Sequence, residues 1–163
     1  MRIKIVAVGK LKERYFKEAV EEYAKRISKY AYIDISEVKE ESSPSNSSQK
    51  EVEKILYKEK NRLEKRIDKQ TFLVTLTRQG EQVDSKSLAS HLEKLMVTGT
   101  SSITFAIGGD LGLHPSLLSE AKWKLSFSKL TFPHHLMRVL LCEQLYRSFT
   151  IINNEPYHRS GIG

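Results

Sequence analysis

Two hydrophobic patterns take turns along this chain: short, nearly continuous apolar runs, and longer stretches in which apolar residues return every three or four positions. Arg2–Val8 is a run of the first kind that stops at Gly9, and Phe16, Ala19, Val20, Tyr23, Ala24 and Ile27 then share one helical face. A strand followed by an amphipathic helix is predicted. Ile33 and Ile35 lie on one side of a second strand over 32–38, and the polar stretch EESSPSNSS at 40–48 reads as a surface loop. Charges dominate 49–69, but Val52, Leu56, Leu63 and Ile67 draw a narrow apolar stripe, so one long helix is expected there.

The alternation continues to the carboxyl end. A third strand is predicted over 71–76, a turn at 78–81, and a helix between a capping Ser85 and a stop at Gly99, carried by Leu88, Leu92, Leu95 and Met96. A fourth strand at 103–107 precedes a short helix at 115–121 and a fifth strand at 123–127. The last helix, predicted over 133–149 with Pro133 in its first turn, carries Leu136, Val139, Leu140, Leu141 and Leu145 on more than one side. Such a helix needs two buried faces, inside its own domain or against a second copy in a two-fold dimer. Strands alternating with helices argue one α/β domain with a mainly parallel sheet. The pattern by itself predicts a doubly wound, unknotted arrangement.

Composition narrows the setting. A chain of 163 residues can bury a core without metal or disulfide, and its one cysteine, Cys142, suits a reducing compartment. The opening apolar run is too short for a signal peptide or a membrane span, so a cytoplasmic protein is expected. Twenty-seven Lys and Arg against 20 Asp and Glu give a formal charge of +7, which favours an anionic partner such as RNA or makes a merely soluble basic surface. The stretch 49–69, with eight cations and five acids, is one candidate RNA contact.

Two loops are candidates for chemistry. Gly108, Gly109 and Gly112 follow the fourth strand, and Ser128, Lys129 and Thr131 follow the fifth, both at carboxyl ends of strands, where open α/β sheets bind ligands. GGDLG is not the dinucleotide fingerprint G-x-G-x-x-G, and no Walker phosphate loop or G-x-S-x-G elbow is present. His134 and His135 mark a loop-to-helix junction that can line a pocket, without zinc-ligand spacing, and no metal is expected. Cys142, inside an apolar helix, reads as inert core. The tail NNEPYHR is either a frayed end or a strap over a pocket, with Tyr157 to stack on a base, Arg159 to hold phosphate and His158 to move a proton.

Taken together and in order, KIVAVGKLK, TFLVTL, IGGDLGLH, LSFSKLTFPHHLMRVLLCEQLYR and PYHR resemble the ribosomal large-subunit methyltransferase H family of the SPOUT class over nearly the whole chain. The resemblance implies an α/β domain with a carboxyl-terminal trefoil knot, a homodimer, S-adenosylmethionine as cofactor, and methylation at N3 of a pseudouridine in 23S rRNA on the assembled ribosome. By position it implies a cofactor site of Leu76, Gly108, Phe127, Ser128, Lys129, Leu130, Thr131 and Phe132. Tyr157, His158 and Arg159 would then form the RNA side. Placement alone makes His158 a candidate base, directly or through water, and Arg147 and Arg159 candidates for handling negative charge, with Arg147 equally a structural partner for a helix end or a cofactor carboxylate. Asp110 places a carboxylate where it can attract a sulfonium, and the chain runs on past PYHR through 160–163. Two rival readings predict different behaviour: a noncatalytic ribosome-binding factor would ignore S-adenosylmethionine, and an NAD-dependent enzyme would bind a nicotinamide cofactor.

Overall fold

A computed structural model describes residues 1–159; the extension at 160–163 lies outside the described residues. Its elements are β1 (Arg2–Val8), α1 (Arg14–Ile27), β2 (Tyr32–Val38), α2 (Gln49–Glu64), β3 (Phe72–Gln82), α3 (Ser85–Val97), β4 (Ser102–Ile107), α4 (Pro115–Glu120), β5 (Trp123–Ser126) and α5 (His134–Ile152). The five strands form one all-parallel sheet in the order β2-β1-β4-β3-β5.

Period-two alternation assigns the faces. Ile3, Ile5 and Ala7 join Ile103, Phe105 and Ile107 beneath α1, α3 and α5, while Val6, Val8 and Ala106 join Leu63 and Leu117 beneath α2 and α4. Both faces of the sheet are therefore covered, as parallel strands require. Helix α5 lies between α1 and α3, and Leu141, Cys142, Leu145 and Phe149 fill the seam. That contact buries one side of α5; Leu136, Met137 and Leu140 remain only half-buried. No described helix is long and apolar enough to cross a membrane.

The structure corrects several boundaries. The predicted turn at 78–81 belongs to β3, which continues to Gln82 and pairs Glu81 and Gln82 with Leu125 and Ser126 after an irregular step past Leu76. Gly80 permits this close approach, because a Cβ there would lie 2.7 Å from the Lys124 backbone. Helix α2 ends at Glu64, not residue 69, and Ile67 packs from the following turn. Asp84, not Ser85, caps α3 by accepting from Ser87 N, which satisfies an amide the first turn leaves free. Pro133 is the residue before the first turn of α5, which runs three residues past the predicted end.

Candidate functional site

The carboxyl ends of β4 and β5 and the irregular middle of β3 open into a cavity of about 300 Å³. Its glycine wall depends on missing side chains. Gly112 N donates to Gly109 O at 3.0 Å and Gly112 has φ 81°, a conformation that favours glycine. A Cβ on Gly108 would sit 2.3 Å from Gly112 O, so the backbone folds back on itself only because residue 108 has none. The opposite wall, after β5, is braced: Ser126 Oγ donates to Ser128 O at 3.1 Å, and Leu130 N donates to Ser128 Oγ at 2.9 Å. From β3, Arg78 Nη1 donates to Thr131 Oγ1 at 2.9 Å and ties the third wall to the second.

Leu76, Ile107, Leu118, Leu125 and Met137 give the cavity an apolar lining, and residues 108–113, 127, 128 and 130–132 of two loops line most of the rest. Asp110 and Arg78 add opposite charges at the rim. A flat heteroaromatic ring attached to a cationic centre and a carboxylate matches this donor set, and the volume falls at the low end for small-molecule sites. Leu76, Gly108, Phe127, Ser128, Leu130, Thr131 and Phe132 all line the cavity, whereas Lys129 is exposed and outside the lining.

The back of the cavity is tied to β1. His134 Nδ1 lies 3.0 Å from Asp110 Oδ1, and His134 Nε2 is buried without a partner, 3.3 Å from where a Cβ on Gly9 would be. One turn along α5, Arg138 is 1% exposed and donates to Glu37 Oε2, Val8 O and Gly9 O. Glu37 also accepts from Leu11 N at 2.8 Å. Glu40, Asp110 and His134 each offer a ligand atom within 4.8 Å of the others, but the cluster adjoins the Arg138 guanidinium, whose charge opposes a cation. Burial, with the neighbouring His134 and Arg138 charges, pushes His135 below the usual imidazole range.

The tail lies elsewhere. Tyr157 packs edge-on against Tyr146, beneath the Arg147 guanidinium, and its hydroxyl donates to Glu143 Oε1 at 3.1 Å. Glu143 Oε1 also accepts from Arg147 Nε at 3.0 Å, and Tyr30 donates to Glu155 Oε2 at 2.6 Å. His158 Nδ1 is 3.2 Å from Arg147 Nη1; a guanidinium has only donors, so the imidazole accepts there. Arg159 is exposed. Ten helical residues, roughly 15 Å, separate Met137 in the cavity from Arg147 beside the tail. Instead of covering the cavity of its own chain, the strap docks on α5, because Glu143, Tyr146 and Arg147 give Tyr157 a polar and aromatic seat.

Sequence patterning missed Arg78, which sat in a supposed turn, and the Asp110–His134 contact, which joins residues 24 apart. It found Cys142 correctly: the thiol is fully buried and burial pushes it up to about 12.

Comparison with known proteins agrees with this architecture. The family model described as "Predicted SPOUT methyltransferase" matches residues 1–158. A Methanococcus maripaludis homologue is 52% identical over 159 residues, 98% of this chain and 100% of its own. A protein of Acetivibrio thermocellus named ribosomal RNA large subunit methyltransferase H is 49% identical, with the same coverage. Among solved structures, a probable methylase family protein of Haemophilus influenzae Rd KW20 superposes with TM-score 0.53 at 12% identity, over 99% of this chain and 71% of its own, a likeness of fold.

Proposed function

Since the chain belongs to the SPOUT methyltransferase family, we propose that it methylates large-subunit ribosomal RNA, transferring the methyl group of S-adenosylmethionine to N3 of a pseudouridine in 23S rRNA on the assembled ribosome. The observation that carries this reading is the three-walled cavity at the sheet's carboxyl edge, with its glycine fold at Gly108 and its apolar lining. The proposal includes the single domain, the carboxyl-terminal trefoil knot, the homodimer and the cytoplasmic setting implied in the sequence.

S-adenosylmethionine supplies an activated methyl group. Leu76, Ile107, Leu125 and residues 127, 128 and 130–132 would hold the cofactor, with Arg78 and Asp110 offering opposite charges among the lining residues. Alignment of nucleophile and methyl carbon provides much of the acceleration. The N3 of pseudouridine carries a proton near neutral pH, so a base must remove it as the N–C bond forms. His158 is that base, and Arg147 and Arg159 offset the negative charge of the deprotonated ring and the phosphates. Because Arg147 occupies the basic nitrogen of His158 in the docked tail, the base becomes competent only when RNA draws the two apart. The 15 Å between tail and cavity is bridged by a second protomer, whose tail reaches this cavity.

The test is transfer of labelled methyl from S-adenosylmethionine to intact ribosomes lacking the modification, with free 23S rRNA in parallel. Label at one pseudouridine, in ribosomes only, is expected. Absence of label from both, together with a melting temperature that S-adenosylmethionine does not raise, would favour a noncatalytic ribosome-binding factor.

A further inference from the structure

We infer that the loop between β1 and α1, with the first turn of α1, is the surface that grips the RNA backbone beside the cavity: Lys10, Lys12 and Lys17 take phosphates and Tyr15 stacks on a base. The inference rests on the proposed RNA substrate, and it assigns the contact to one segment.

Position comes first. The loop leaves β1 at Gly9, directly behind the cavity-lining His134, and β1 lies next to β4 in the sheet. RNA whose target base enters the cavity therefore passes within reach of it. Preorganisation comes second. Loops of this length are ordinarily mobile, but this one is held from below by Leu11, 6% exposed, by Leu11 N on Glu37, and by Arg138 on the carbonyls of Val8 and Gly9. The Glu37 side chain is 35% exposed, so its pair with the buried Arg138 is only half-buried and serves here as a positional tie. A loop fixed in place loses less freedom on binding, which favours affinity.

Charge comes third. Lys10, Lys12 and Lys17 are exposed and pair with no acid among the described residues. Of the nearby acids, Glu13 lies 3.8 Å from His135 and Glu18 accepts from Arg14, while Glu21, one turn after Lys17, is exposed. Tyr15 is 66% exposed with its ring 4.6 Å from that of Phe16, a rigid aromatic plate among cations. Helix α2, the other basic stretch, also has exposed Lys50, Lys54 and Lys58, unpaired among the described residues, and a 52% exposed Tyr57, but acids are interleaved among them. Arg62 pairs with Glu41 and Lys60 with Glu64, while exposed Glu51 and Glu53 interleave with Lys50, Lys54 and Lys58.

Two variants of equal charge loss test the assignment: Lys10→Ala/Lys12→Ala/Lys17→Ala and Lys50→Ala/Lys54→Ala/Lys58→Ala. The probes are unmodified ribosomes and purified 23S rRNA, with binding followed against salt and S-adenosylmethionine affinity measured separately. For the loop variant the slope of log K against log salt should fall by about 2, the loss of three phosphate contacts to single-stranded RNA. Its KM for ribosomes should rise at least about tenfold with kcat retained at saturation, and cofactor affinity should not move. Tyr15→Ala should raise KM and Tyr15→Phe restore it. The α2 variant should stay within about twofold of wild type. Equal losses in the two triple variants, or no loss in the loop variant while wild type methylates ribosomes, overturn the assignment and leave the methyltransferase reading standing. A wild-type protein that neither binds nor methylates either RNA overturns both.

Discussion

The cavity and the tail are built on opposite principles. The cavity is lined from three neighbouring strands of one chain: glycine and serine contacts brace two of its loops internally, and Arg78 ties the β3 wall to the loop after β5. The tail carries groups able to move protons and hold phosphate, yet Tyr157 and His158 are engaged with their own helix roughly 15 Å away, while Arg159 is exposed. On the proposed reading, the difference separates cofactor capture, assigned to the cavity, from RNA chemistry, assigned to a tail that must rearrange or come from a second copy.

Gly108→Ala should have the largest effect, on the self-contained half. Its methyl group would enter the space held by Gly112 backbone atoms, 2.3 and 2.4 Å from the Cβ position, and backbone cannot rotate aside as a side chain can. Overpacking of this kind costs about 1–3 kcal/mol, so S-adenosylmethionine affinity should fall about 10–100-fold. Isothermal calorimetry measures it, beside a melting curve to register any loss of fold. Undiminished binding would mean that the cofactor lies elsewhere.

The next prediction concerns the division itself. His158→Ala alone should leave cofactor affinity unchanged while lowering kcat. If one protomer's tail serves its partner's cavity, Gly108→Ala and His158→Ala chains mixed at equal amounts should regain about a quarter of wild-type activity, since half the dimers are mixed and each of those has one whole site. No recovery on mixing, with both parents inactive, would place tail and cavity of the same chain together and end the shared-site reading.

The same contrast explains what the sequence made legible. The sheet was readable because parallel strands buried on both faces are nearly continuous apolar runs, as in Arg2–Val8 and Ser102–Ile107. The cavity walls were readable by resemblance, and the glycine loop and the β5 exit also by composition. The extension of β3 was not, because Arg78, Gln79 and Gly80 have turn chemistry and lie in the irregular step between Leu76 and Glu81, where the pairing with β5 lapses. Nor was the resting place of the tail. Nothing local in PYHR specifies that Tyr157 meets Glu143 and Tyr146, since those contacts depend on where α5 ends and how the chain doubles back at Asn154, with φ 56°.

The smallest expected effect sharpens the tail side. Burial, together with the Glu143 carboxylate, pushes Tyr157 up to about 12, and a hydrogen bond to Glu155 does the same to Tyr30. A tyrosine whose folded pKa is raised stabilises the folded arrangement fully below its ordinary value near 10, and that stabilisation is lost as pH rises through the shifted value. The tail should therefore stay docked up to about pH 10 and come away between about pH 10 and 12. Tyrosinate absorbance of wild type minus that of Tyr157→Phe isolates the group, and its midpoint should lie near 12. A midpoint at the ordinary value would mean that Tyr157 is solvated and free of Glu143, so the tail would have no docked state to leave. In that case Arg147 would not restrain His158, and the division between a locked cavity and a held tail would reduce to a difference in distance alone.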